Sequence, residues 1–193
     1  MTADDVGSRR NEHLAEGEVM KGAIWGQMHR QGRISIRPGD LLPSVTLRST
    51  AGRDVDVVAE ATHRHVVMFF YPGDREGLRY PELAGCTAEA CAFRDHLGAL
   101  HKLGAVVFGV SLQSTERQRR FVERERLTFE LLSDEQKKLV HALGVPLWIS
   151  EAGEEFTSRT TVVAAKGGSV AAVFEDVDVA AHAESVIEVV RQL

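Results

Sequence analysis

Two short apolar runs stand out along the chain, Val66-Val67-Met68-Phe69-Phe70-Tyr71 and Ala105-Val106-Val107-Phe108-Gly109-Val110. Their length and their β-branched and aromatic content predict buried strands over residues 65–71 and 105–110. Between them, Phe93, Leu97 and Leu100 recur at helical spacing. This predicts an amphipathic helix over residues 87–103 that Gly104 ends. Upstream, Val45-Thr46-Leu47-Arg48 and Asp54-Val55-Asp56-Val57 flank Ser49-Thr50-Ala51-Gly52-Arg53, a hairpin pattern.

Downstream, Ser114 is placed to cap a helix running to about Arg126, with its charges on a solvated face. Ser133 and Gln136 have the spacing of a capping box, which predicts a helix to Leu143 stopped by Gly144. Thr160 to Ala165 and Ser169 to Phe174 read as a hairpin around Lys166-Gly167-Gly168, and residues 180–192 as a closing helix. Strands alternate with helices early, and a hairpin plus a helix ends the chain. That order predicts an α/β layer fold of thioredoxin type, a mixed central sheet flanked by helices. The core pattern starts at Pro38-Gly39-Asp40. Residues 1–37, rich in charge with scattered apolar positions, read as an N-terminal extension, and 38–193 as the folded domain.

At 193 residues the chain has room for one domain with a sizeable core. A net charge of −5 leaves no basic footprint for nucleic acid. No apolar run reaches the roughly 20 residues that span a membrane. The N-terminus lacks the apolar core of a secretory signal. Only 2 cysteines are present, too few for a disulfide-rich secreted scaffold or a four-cysteine zinc site. A reducing, cytoplasmic setting and a monomer or weak homodimer are expected.

Both cysteines fall in Gly85-Cys86-Thr87-Ala88-Glu89-Ala90-Cys91-Ala92-Phe93-Arg94-Asp95, just after the first apolar strand. With the helix starting at about Thr87, Cys86 lies at a helix N-terminus, where unpaired amides and the helix dipole favour a thiolate. On one regular helix the two positions are separated by a rise of about 7.5 Å and about 140° of rotation, so their α-carbons lie about 8–9 Å apart. A disulfide requires about 7 Å or less. The spacing therefore predicts a switch, with the helix folded when reduced and locally unwound when oxidised. A nucleophilic cysteine also needs a nearby cation, for which Arg75, Arg79, Arg94 and Arg159 are candidates. Arg159 opens a late strand, and Glu89, one helical turn after Cys86, is placed to hold an arginine by a charge-assisted fork. His63 and His65 alternate along a strand approach, poor geometry for a metal pair. No metal or organic cofactor is expected.

The run from Gly85 to Asp95 resembles the active-site helix of Q-type, bacterioferritin-comigratory-protein-like peroxiredoxins. The resemblance extends over about residues 38–192, through Pro38-Gly39-Asp40 with Pro43, Phe69-Phe70-Tyr71-Pro72 and Val107-Phe108-Gly109-Val110-Ser111. It includes Phe129-Glu130-Leu131-Leu132-Ser133-Asp134 and the Arg159 hairpin. It implies a thioredoxin-like fold and thiol-dependent peroxidase activity. By the same resemblance Cys86 matches the peroxidatic cysteine, Cys91 the resolving cysteine, Arg159 the arginine that steadies thiolate and peroxide, and Glu89 its partner. It implies a hydroperoxide substrate and recycling by a thioredoxin-like donor. The chain departs from the family's Pro-x-x-x-Thr-x-x-Cys pattern. Leu83 stands at the threonine position, and Gly73 to Gly85 is longer than the usual connection. Tyr80 in that connection is a candidate substitute for the missing hydroxyl. Two alternatives stay open. One is a thiol–disulfide reductase, against which the four-residue gap argues. The other is a redox sensor or redox-regulated binding protein using the same cysteine switch.

Overall fold

A computed structural model describes residues 28–74, 84–150, 153–175, 179 and 181–193. Its main sheet has seven strands. These are β2 (Thr46–Ser49), β3 (Asp54–Asp56), β4 (His65–Phe70), β5 (Ala105–Ser111), β6 (Glu130–Ser133), β9 (Thr160–Ala164) and β10 (Val170–Glu175), in the order β10-β9-β4-β5-β6-β2-β3. β4, β5 and β6 run parallel, while β9 pairs antiparallel with β4 and β2 antiparallel with β6. The sheet is mixed, as the pattern of apolar runs predicted.

Helices cover both faces, and strand periodicity sorts the residues between them. Val67, Phe69 and Tyr71 of the β4 segment join a core with Phe93, Leu97 and Leu100 of α2 (Ala84–Lys102). Phe121 of α3 (Thr115–Glu125) and Val186 and Val190 of α5 (His182–Arg191) complete it. Val66, Met68 and Phe70 face the other way, toward Val57 and Ala61 of α1 (Val57–His63) and Leu139 and Leu143 of α4 (Lys138–Leu143). Phe69 and Phe93 stack with ring centroids 4.7 Å apart, pinning α2 to the sheet. At the sheet's centre Gly109 allows β5 to be covered closely. A Cβ there would fall 2.5 Å from Leu131 Cδ2 and 2.8 Å from Phe69 Cζ.

The predicted hairpin, the two buried strands, the Ser114 cap and the closing helix are present. Ser114 accepts the Arg117 N–H, as expected of an N-cap. Four features differ. Val57 begins α1 rather than ending a strand, because Asp56 accepts the amides of Val58 and Ala59 and starts a helix. α2 begins at Ala84, so Cys86 is its third residue. The capping box at Ser133 does not form. Ser133 ends β6, its hydroxyl donating to the Gln113 carbonyl, and α4 starts after Lys137 with no side-chain cap. Glu130–Ser133 pairs with β5 on one side and β2 on the other, and this pairing outweighs a local cap. A second, three-stranded sheet was not foreseen. In it β7 (Leu147–Ser150) lies between β8 (Glu155–Thr157) and β1 (Met28–Gln31), so among the described residues strand pairing starts upstream of Pro38. The rest of the N-terminal extension, residues 1–27, lies outside the described residues.

One buried charge fixes the chain between β4 and α2. Asp74 is fully buried, and its carboxylate accepts from Gln113 Nε2 at 2.8 Å, Arg117 Nε at 2.9 Å and Arg124 Nη2 at 3.0 Å. Burial pushes this carboxyl up, but the bonds from Gln113, Arg117 and Arg124 outweigh it and hold it below its ordinary value. A carboxyl lowered on folding adds stability that is present above its unfolded value of 3.8 and is lost as pH falls through the folded one. Asp74→Asn should cost about 2–3 kcal/mol, below the range for a fully buried pair because both arginines reach solvent. Urea unfolding at neutral and acid pH would check this. The loss should shrink toward pH 3, and a loss independent of pH would exclude the ion pairs as its source.

Candidate active site

β4 ends at Phe70, and Tyr71 and Pro72 carry the chain out over the edge that β9 also reaches. β9 pairs with β4 so that Thr160 lies opposite Phe70. Arg159, the residue before Thr160, is thereby delivered to the first turn of α2. Its guanidinium forms a fork. Nη2 donates to the Cys86 sulfur at 3.3 Å, and Nη1 donates to Glu89 Oε2 at 3.1 Å. Gly85 makes the approach possible, since a Cβ there would fall 2.9 Å from Arg159 Nη2. Cys86 and Glu89, three residues apart, share one helix face and both are buried.

Burial sets the electrostatics. It pushes the Cys86 thiol up to about 11, against the pull of the Arg159 guanidinium and of a hydrogen bond from the Gly73 amide. Desolvation thus opposes the thiolate that the helix start, the cation and the backbone amide favour. Burial likewise lifts Glu89 to about 7, with Arg159 opposing. Glu89 Oε1 is sealed, with no hydrogen-bond partner among the described residues. His182 Nε2 stands 3.9 Å from it, and bonds with Thr161 Oγ1 at 2.7 Å. Burial takes His182 down to about 4.

Cys91 lies on the same helix but in different surroundings. It is half-buried near Arg94 and Glu125 of α3, and burial raises its thiol too. Both thiols are free and α2 is continuous through them.

Of the four candidate cations, Arg159 meets Cys86. Arg94 instead pairs with Asp95 and donates to the Glu125 carbonyl, beside Cys91. Arg75, Arg79, Tyr80 and Leu83 lie outside the described residues. His63 is exposed, and His65 Nδ1 accepts the Lys166 amide. Three contributors were missed: the Gly73 amide, the Asp74 anchor and His182. His182 did carry a signal. It lies four residues before Val186 and eight before Val190, on the apolar stripe of the closing helix.

The AhpC/TSA family model matches residues 38–173. Peroxiredoxin Q, chloroplastic, from Sedum lineare is 36% identical over 141 residues, covering 73% of this chain and 70% of that one. Peroxiredoxin Bcp from Bacillus subtilis (strain 168) is 30% identical over 162 residues, covering 83% of this chain and 98% of that one. Among solved structures, peroxidoxin BcpB from Mycobacterium tuberculosis superposes with a TM-score of 0.70 at 28% identity, over 82% of this chain and 99% of that one. Xanthomonas campestris peroxiredoxin Q gives 0.67 at 27% identity, over 82% and 97%. Sequence and architecture thus agree, and the chain belongs to the AhpC/TSA family, in its peroxiredoxin Q/Bcp branch, as a thiol-dependent peroxidase.

Proposed function

We propose that Cys86 is the peroxidatic cysteine, Cys91 the resolving cysteine, Arg159 the group that steadies thiolate and peroxide, and Glu89 the residue that holds Arg159. The observation that carries this reading is the Arg159 fork, one N–H on the Cys86 sulfur and another on the Glu89 carboxylate. A hydroperoxide entering the pocket brings polar oxygens beside the sulfur and offsets part of its desolvation. The Cys86 sulfur attacks the distal oxygen, the S–O bond forms as the O–O bond breaks, and the thiol proton ends on the leaving oxygen. Arg159 stabilises the charge that develops there. The products are water or an alcohol and Cys86 sulfenic acid. The first turns of α2 then unwind, Cys91 displaces water from the sulfenic acid, and a disulfide forms. A thioredoxin-like dithiol reduces it by exchange.

The domain from residue 38 onward is the proposed catalytic unit, acting as a monomer or weak homodimer. A reducing compartment such as the cytoplasm suits a thiol pair that must be recycled. Among the described residues no helix is long and apolar enough to cross a membrane. The sensor alternative is not favoured. A single stoichiometric oxidation needs no arginine fork, and the chain's relatives are peroxiredoxins by name.

Steady-state peroxide consumption with thioredoxin tests the roles. Cys86→Ser should abolish turnover. Cys91→Ser should complete one round of sulfenic acid formation and then stall, and normal thioredoxin-linked turnover by that variant would refute its assignment.

Arg159→Met removes the cation that draws the Cys86 thiol down, so the thiol should rise further. Sulfenic acid formation should slow at least about tenfold, equivalent to roughly 1.4 kcal/mol of transition-state stabilisation. Stopped-flow oxidation at equal pH is the measurement, and an unchanged rate would remove Arg159 from the site.

Hydrogen exchange tests the switch. In the Cys86–Cys91 disulfide form residues 84–93 should exchange faster than in the reduced form, while β4 and β5 stay protected. Identical protection in a confirmed disulfide form would rule out unwinding.

A further inference from the structure

Glu89 is 1% exposed, yet only one of its carboxylate oxygens is bonded. A sealed carboxylate oxygen with no donor is costly. The polar group facing Oε1 is His182 Nε2, at 3.9 Å. His182 is itself buried, edge-on to Phe93 and Phe174 with ring centroids 5.5 and 5.3 Å away. Its ring is neutral near pH 7, so it carries one N–H to give.

We propose that His182 is a positioning residue for the peroxidatic site: its neutral ring carries the proton on Nε2 and shares that N–H between Thr161 Oγ1 and Glu89 Oε1, keeping Glu89 ionised and Arg159 aimed at Cys86. The proposal rests on the reading of Cys86 and Arg159 given above. Closing 3.9 Å to a hydrogen bond requires a movement of about 1 Å. Catalytic hydrogen bonds commonly tighten by such amounts when substrate binds. The contact would also tie α5 to α2 across β9, so that the two buried polar helix residues satisfy each other.

The sign follows from which form the donor stabilises. An N–H on Oε1 favours the carboxylate and lowers its midpoint, and removing it raises the midpoint. Among the described residues, the charged or titratable groups facing Glu89 are Arg159 before β9, His182 on α5 and Cys86 on α2. Thr161 on β9 is uncharged. Burial holds His182 and Cys86 in their neutral forms near pH 7, so a transition there belongs to Glu89.

The test uses the full chain. Glu89 protonation is read from the carboxylic-acid infrared band that Glu89→Gln removes, and Cys86 oxidation from single-turnover sulfenic acid formation across the neutral range. His182→Phe keeps a flat ring against Phe93 and Phe174 but has no nitrogen. The Glu89 midpoint should rise by about one unit and Cys86 oxidation at pH 7 should fall about fivefold. His182→Gln, which keeps a donor, should restore most of both. A folded His182→Phe with the unmodified midpoint and rate overturns the proposal. Should His182→Phe not fold, the 15N spectrum of the unmodified protein decides. A proton on Nε2 whose shift follows the Glu89 titration supports the proposal, and an unprotonated Nε2 overturns it. Unmodified protein that forms no sulfenic acid at Cys86 would instead fail the site assignment, and the infrared and 15N readouts keep the two failures apart.

Discussion

The register of β9 against β4 is the constraint on which the site depends. With Thr160 opposite Phe70, the face of β9 that carries Thr161 and Val163 looks toward α2 and α5, while Val162 and Ala164 look toward α1 and α4. Arg159 enters this strand on the first of those faces. A slip of one residue would invert every side chain of β9 and send the guanidinium to the wrong side of the sheet. Nothing in polarity alone prevents it, since β9 is buried on both faces. The register is fixed by β4, paired on its other edge with β5, and by the tight hairpin at Gly167 and Gly168, both at positive φ.

Burial then decides which groups are charged. Cys86, Glu89 and His182 are each moved toward their neutral forms by loss of water, and Arg159 remains the fixed cation among them. The arrangement is stable because the guanidinium meets two partners at once. Deleting any member leaves another sealed polar group unsatisfied, the costly outcome for a buried network. The same burial opposes the helix-terminus contribution at Cys86. Amides and dipole favour a thiolate by modest amounts near the surface. Full removal from water acts in the opposite direction and with larger size.

How much was legible in the sequence follows from the range of each determining interaction. Strands β4 and β5 were legible because burial on both faces writes a continuous apolar run. α2 was legible because Phe93, Leu97 and Leu100 all face one core. Cys86, Cys91, Arg159 and Glu89 came from a motif, and the fork bringing three of them together agrees with it. β1, β7 and β8 were not legible. β1 reaches β7 by pairing across more than a hundred residues, of which local pattern carries no trace, and β8 adds to β7 as a short hairpin without a clear apolar alternation. The Ser133 capping box failed for the same reason, as pairing on both edges of β6 overrode a local preference. The Asp74 anchor has no local signature, since its arginines arrive from α3, some forty to fifty residues later.

α2 divides into two halves held by different forces, and this division gives the proposed switch its boundary. From Phe93 onward the helix is held by apolar packing, with Phe93 and Leu100 sealed against the sheet and Leu97 nearly so. Arg94 adds a bond to the end of α3 through the Glu125 carbonyl. Cys86 and Ala90 of the first turns are buried in the same core. The first turns carry in addition a polar attachment, the fork from Arg159 to Cys86 and Glu89. On the proposed mechanism, conversion of Cys86 to a sulfenic acid would change the acceptor at the centre of that fork, and so would weaken the N-terminal half selectively. On the other side Asp74 anchors the chain to Arg117 and Arg124 of α3. Asp74 and Arg94 therefore bracket Cys86 with two attachments to one helix. Cys86 lies inside the bracket and Cys91 near its edge. Unwinding can then bring the two sulfurs together without loosening the sheet, because the stack of Phe93 on Phe69 holds the part of α2 that stays.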